Sequence, residues 1–181
     1  MLVLLDRDGV INADRSDFVK SPKELVFISG SLEAVSKLNN AGHLVAIVTN
    51  QSCIGRGIIT EDQLTAIHDK LQDSLRRAAA HVDAIFVAPD APWAATQMRK
   101  PAPGMILKAM NKFNQTPDRT VLIGDSPGDL EAAFAAGCHR ILVQTGKGQH
   151  TQRAGLAPHL LPVSVARDLK QAVGYVLEER F

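Results

Sequence analysis

Short apolar runs rich in Val, Ile and Leu return along the chain: LVLL at 2–5, LVAIV at 44–48, AIFV at 84–87, TVLI at 120–123 and RILV at 140–143. They run continuously instead of alternating with polar residues, which is the pattern of strands buried on both faces of a parallel sheet. Helical spacing fills the gaps. Residues 31–40 put Leu32, Val35 and Leu38 on one face and are followed by Gly42, a helix stop. Thr60-Glu61-Asp62-Gln63 has the spacing of a capping box, and Leu64, Ile67, Leu71 and Leu75 continue as an apolar stripe. Pro103 opens a helix carrying Ile106, Leu107 and Met110, and 127–136 carries Leu130 and Phe134 up to Gly137. A last helix, 165–179, carries Leu169, Val173, Val176 and Leu177. Strands alternating with helices require right-handed crossovers. The expected fold is therefore a doubly wound α/β three-layer sandwich with a mostly parallel central sheet.

With 181 residues, 45% of them apolar, the chain fits one compact domain, 1–181. The 20 Lys and Arg against 19 Asp and Glu leave a net charge of +1, so no bulk electrostatic argument favours nucleic acid or an anionic membrane. No apolar run reaches the roughly 18 residues of a membrane span, and residues 1–5 lack the basic start of a signal peptide. A cytoplasmic monomer is expected. Cys53 and Cys138 form no Cys-x-x-Cys pair and read as two free thiols.

In a doubly wound sheet, ligands bind beyond the carboxyl ends of the strands. Asp6 and Asp8 follow the first apolar run, Thr49-Asn50-Gln51 the second, Arg99-Lys100 the loop after the third, and Asp125 with Asp129 the fourth. Alone, each would also suit a solvated loop. Together, the carboxylates of Asp6, Asp8 and Asp125 would repel one another unless a hard cation sat among them, and magnesium, which favours oxygen ligands and substrate phosphates, is the natural one. A phosphate would find the Thr49 hydroxyl, the Lys100 ammonium as a point charge, and Arg56 or Arg99 as bidentate partners. Asp6 then reads as a nucleophile toward phosphorus and Asp8 as the general acid and base. The turn at Gly9 lets both side chains reach one phosphoryl group. Asp129 reads either as a helix N-terminal charge or as a support for the metal or Lys100. Thr145-Gly146-Lys147-Gly148 lacks the full spacing of a phosphate loop and is expected as a mobile loop at the sheet edge.

DRDGVIN (6–12), TNQS (49–52) with Arg56-Gly57, RKP (99–101) and GDSPGD (124–129) resemble, in order, the four motifs of the haloacid dehalogenase superfamily, and the similarity extends from Met1 to Gly148. The resemblance implies Asp6 as nucleophile, Asp8 as proton donor, and Thr49 and Lys100 as phosphoryl stabilisers. It implies magnesium on Asp6, Asp125 and the carbonyl of Asp8, and substrate contacts from Asp14, Arg15, Ser16, Asp17, Asn50, Gln51, Ser52 and Arg99. Ser126 stands where some relatives carry a Lys that touches substrate. The segments between the motifs leave no room for a cap domain, so loops must supply selectivity. The implied substrate is a small sugar phosphate, with histidinol phosphate as the nearest rival within the same chemistry. A phospho-receiver domain is the rival of another class, but its phosphorylated Asp follows the third strand. Relatives commonly hold zinc in the loop before Arg99; here Ala88, Asp90, Thr96 and Met98 occupy those positions. No zinc is expected, and the loop is expected to be ordered by packing of Trp93 and its prolines. Cys53 replaces a usual Gly after TNQS and reads as structural.

Overall fold

The computed structural model describes residues 1–181. Six strands, β1 (Leu2–Leu5), β2 (Leu44–Asn50), β3 (Ala84–Ala88), β4 (Thr120–Gly124), β5 (His139–Val143) and β6 (Ser164–Ala166), form one all-parallel sheet in the order β3-β2-β1-β4-β5-β6. Each of the five expected runs is one of these strands. Successive side chains of a strand face opposite sides, so Val3 and Leu5 join one core and Leu2 and Leu4 the other. The first core is closed by α1 (Ser31–Asn40), α3 (Glu61–Arg77) and α7 (Leu169–Leu177), the second by α4 (Gly104–Phe113) and α5 (Pro127–Ala135). All four residues of β1 are fully buried. Each such side chain contributes roughly 1.5–3 kcal/mol, so the residue that follows β1 inherits a rigid position.

Parallel pairing of β1 with both β2 and β4 makes β1 the point from which the chain winds outward in two directions. A crevice opens there, beyond the carboxyl ends of the strands. Asp6 directly follows β1 and Asp125 directly follows β4. Between β1 and α1 the chain forms a flap, tied to the body where Ala13 N–H donates to Val26 O and Ile28 N–H to Ile11 O.

Local signals explain most boundaries. Thr60 and Gln63 form the expected capping box of α3, whereas α4 starts at Gly104 with Pro103 as its cap residue. The last helix is shorter than expected. Residues 164–166 are the edge strand β6, and α7 begins after Asp168, whose carboxylate accepts the Gln171 N–H at 2.8 Å. Two short helices, α2 (Ser52–Gly55) and α6 (Gly148–Ala154), carry no apolar stripe long enough for periodicity to reveal them.

Candidate active site

The site is built on the crevice between β1 and β4. Asp6 N–H donates to the Ile123 carbonyl at 3.0 Å, which continues the sheet to the first acid. Gly9 has φ +82°, and a Cβ there would stand 2.0 Å from Asp125 Oδ2. Gly146, at φ +55°, meets the same oxygen at 2.1 Å. Asp125 is thus packed between two backbones that only glycine allows so close. Lys147 N–H donates to Asp125 Oδ2 at 2.7 Å, and the Thr145 hydroxyl donates to the Gly9 carbonyl at 2.6 Å. The Thr145–Gly148 loop, expected to be a mobile loop at the sheet edge, is instead bonded into the site.

Lys100 is buried, with its ammonium 2.5 Å from Asp129 Oδ1, 3.1 Å from Asp6 Oδ1 and 2.8 Å from the Val48 carbonyl. The contact with Val48 is a hydrogen bond, and those with the two carboxylates are ion pairs. Its backbone is clasped by Asn50, whose Nδ2 donates to Lys100 O at 2.9 Å and whose Oδ1 accepts Lys100 N–H at 3.1 Å. Asp129 Oδ2 accepts from the Ser126 N–H at 3.0 Å and its hydroxyl at 2.6 Å, which caps α5. Burial opposes both charges, yet the close pair prevails: Lys100 is held above its ordinary range by Asp129 and then Asp6, and Asp129 is held below its own by Lys100. Asp6 is raised, first by burial and then by the charges of Asp129, Asp125 and Asp8, with Lys100 acting against them. The ammonium lies nearer Asp129 than Asp6, which is why it relieves Asp6 only in part.

Asp8 has a different environment. Arg7 Nη2 donates to its Oδ1 at 3.0 Å and Oδ2 at 2.9 Å, Asn12 Nδ2 to Oδ1 at 2.8 Å, and Gln51 Nε2 to Oδ2 at 2.8 Å. Burial pushes its proton affinity up, and Arg7 followed by the Asn12 and Gln51 hydrogen bonds outweighs it, so Asp8 is lowered. Arg7 is completely buried and also reaches Gln51 Oε1 at 3.1 Å and His68 Nε2 at 3.2 Å.

A cavity of about 410 Å³ opens over these groups. Asp6, Asp8, Asp14, Arg15, Ser16, Asn50, Gln51, Ser52, Arg99, Lys100, Asp125 and Ser126 line it, so the structure brings most of the residues read from the motifs to one wall. Others lie elsewhere. Thr49 is buried below the wall, where its hydroxyl accepts from Gln51 Nε2 at 2.8 Å. Asp17 is exposed and pairs with Arg15 and Lys20. Arg56 stacks over Trp93 at 4.9 Å and Phe18 at 5.9 Å instead of entering the cavity. Asp129 stands behind Lys100. Sequence reading missed Lys147, which lines the cavity and pairs with Asp14 at 3.2 Å, as well as Phe18, Val19 and the buried Arg7.

Carboxylate oxygens of Asp6, Asp125 and Asp129 lie within 4.8 Å of one another. Asp129 is committed to Lys100 and Ser126, which leaves Asp6 and Asp125 for a cation. Asp125 is pushed up to about 7, first by burial and then by Asp129. A buried set of hard oxygens short of positive charge fits magnesium. Zinc does not fit the loop before Arg99, where Ala88, Asp90, Thr96 and Met98 supply neither thiolate nor imidazole. Trp93 is not what orders this loop, being 72% exposed. Asp90 Oδ2 accepts the Thr96 N–H at 2.8 Å and its hydroxyl at 2.5 Å, and the Asp90 carbonyl accepts from Arg99 Nη1 at 2.9 Å. Polar closure, with the buried Ala88 and Ala91, takes the place expected of Trp93.

Comparison with known proteins agrees with this architecture. Residues 97–172 match the HAD-hydrolase-like family model. A D-glycero-beta-D-manno-heptose-1,7-bisphosphate 7-phosphatase of Bordetella bronchiseptica is 40% identical over 178 residues, 98% of each chain. One of Neisseria meningitidis serogroup A is 45% identical over 150 residues, 83% of this chain and 80% of that one. The crystal structure of D,D-heptose 1,7-bisphosphate phosphatase from B. bronchiseptica, complexed with magnesium and phosphate, superposes with a TM-score of 0.93 at 40% identity over 98% of both chains. No helix of the structure is long and apolar enough to cross a membrane.

An all-parallel sheet of this order, with its acids and lysine at the crevice, defines a phosphatase of the HAD-like class. Within that class the chain belongs to the family of the D-glycero-D-manno-heptose-1,7-bisphosphate 7-phosphatases.

Proposed function

We propose that the chain removes the 7-phosphate of D-glycero-D-manno-heptose 1,7-bisphosphate, through an ester formed on Asp6, in the supply of heptose for lipopolysaccharide core. The observation that carries this reading is the seating of Asp6 beside Lys100 and Asp125 at the mouth between β1 and β4. Asp6, Asp125 and the Asp8 carbonyl would hold magnesium, which when bound supplies positive charge to offset that of the phosphoryl oxygens.

Asp6 is ionised for attack when its neighbours' negative charges are offset, and its oxygen then bonds to phosphorus as the phosphorus–alkoxide bond breaks. Lys100 lies 3.1 Å from the attacking carboxylate, close enough to share its ammonium with a phosphoryl oxygen. The leaving alkoxide takes a proton from Asp8. In the free site Asp8 is ionised by Arg7, Asn12 and Gln51; an arriving phosphate brings like charge beside it and raises its proton affinity. Once deprotonated again, Asp8 takes a proton from water, whose oxygen attacks phosphorus and frees Asp6. Thr49 supports this through Gln51, and Asn50 through the Lys100 backbone. Asp14, Arg15, Ser16 and Ser52 face the sugar, and Arg99 takes charge remote from the reacting phosphate.

We read the chain as a capless monomer that works in the cytoplasm on a small sugar phosphate, with no membrane or nucleic-acid partner; the net charge of +1 supports the last of these. The two free cysteines are both buried, consistent with a reducing compartment. The test compares kcat/KM for heptose bisphosphate, other sugar phosphates and histidinol phosphate, with magnesium and with EDTA, for the wild type and Asp6→Asn. The heptose ester should lead, and EDTA or Asp6→Asn should abolish turnover. A hundredfold preference for histidinol phosphate would reassign the substrate, and turnover undiminished by Asp6→Asn would overturn the mechanism.

A further inference from the structure

Arg7 lies between the two leading acids and has no exposed surface. A guanidinium so placed needs acceptors for its donors. Its Nη2 has three: both oxygens of Asp8 and Gln51 Oε1. Its Nη1 has one, His68 Nε2 at 3.2 Å, on the buried face of α3. Arginine only donates, so Nε2 must offer its lone pair and His68 must be the neutral tautomer with its proton on Nδ1.

The contact also fixes two groups beyond it. Because Gln51 Oε1 accepts from Arg7 at 3.1 Å, its amide is oriented with Nε2 toward Asp8 Oδ2 at 2.8 Å and Thr49 Oγ1 at 2.8 Å. The fork of Arg7 thus sets both the Asp8 carboxylate and the Gln51 amide, and His68 sets the fork. We propose that His68 is a positioning residue for the phosphoryl chemistry, acting through Arg7 on Asp8 and Gln51 although it touches neither substrate nor the reacting groups. This rests on the proposed role of Asp8 as the proton-transferring acid.

His68→Leu removes the acceptor, and His68→Gln restores a carbonyl at similar reach. With a phosphate monoester and magnesium, His68→Leu should lower kcat about tenfold, as small misplacements of reacting groups do, while KM stays within about twofold. His68→Gln should recover most of the loss. Nitrogen NMR of the wild type should show an unprotonated Nε2 and a protonated Nδ1, a pattern that Arg7→Met should disturb. An Nε2–H tautomer would overturn the proposal whatever the kinetics. So would wild-type kcat in His68→Leu corrected for the folded fraction, or equal loss in both His68 variants. A wild type without turnover would instead remove the phosphatase reading and the catalytic role of His68 with it, while the NMR result would still decide whether the His68–Arg7 contact exists.

Discussion

Asp129 holds the Lys100 ammonium at 2.5 Å with a carboxylate that has no solvent exposure, and so fixes the cation that also faces Asp6 at 3.1 Å. Replacing Asp129 by Asn leaves Lys100 buried with Asp6 as its only anionic partner. Breaking a buried pair from one side costs on the order of 3 kcal/mol. The freed ammonium should move toward Asp6 and quench its nucleophilicity. Asp129→Asn should therefore lower both the denaturation midpoint and kcat, the latter about a hundredfold, with KM little changed. Wild-type kcat in a folded Asp129→Asn protein would show that Lys100 needs no such anchor.

A single methyl group added at Gly146 tests the packing around Asp125. Its Cβ would meet Asp125 Oδ2 at 2.1 Å and Gly9 Cα at 2.5 Å, at a φ of +55°. Asp125 or the loop must shift. Gly146→Ala should weaken magnesium activation at least tenfold, read as the magnesium concentration for half-maximal rate, whereas Gly42→Ala, with open space around its Cβ, should leave that concentration unchanged.

What could be read from the chain follows from how directly physics writes it there. β1 to β5 are legible because doubly buried strands demand continuous apolar runs, and Asp6, Lys100 and Asp125 because hard-cation and phosphate chemistry admits few residue types. β6 is three residues on an edge, and α6 (GQHTQRA) buries only Gly148 and Thr151, so neither shows a period. Arg7 was illegible for another reason. An arginine between two acids looks like solvated charge balance, and only the approach of α3, sixty residues on, makes it a buried fork. The Asp90–Thr96 clip is likewise a local polar closure that composition alone would assign to solvent.

That clip predicts a separation of kinetic constants. Asp90 bonds Thr96 through its side chain and Arg99 through its carbonyl. Asp90→Ala should release the loop and let Arg99 leave the cavity wall while Lys100, clasped by Asn50, stays in place. KM should rise about tenfold, the cost of roughly one charge-assisted hydrogen bond, with kcat within about twofold. Added zinc should restore neither variant nor wild type, since the donors there do not suit it. A fall in kcat equal to the rise in KM would place the clip in the chemistry of Lys100 instead.

His68 gives the fold an acid sensitivity that can be isolated by difference. Burial, then the charge of Arg7, lowers it to about 4, with Asp8 acting weakly in the other direction. In the unfolded chain it titrates near 6.5. Between these values the unfolded state binds a proton that the folded state refuses, so stability present above about pH 6.5 is lost as pH falls toward 4. At about 1.4 kcal/mol per unit, the span is on the order of 3 kcal/mol. Asp6 and Asp125, raised by burial, titrate with the opposite effect and are common to any variant compared. Denaturant unfolding of wild type and His68→Gln at pH 8 and pH 5 should therefore show the wild type losing more stability, by about 2 kcal/mol. Parallel losses would mean that His68 is solvated enough to take its proton in the folded state, which its neutral lone pair toward Arg7 forbids.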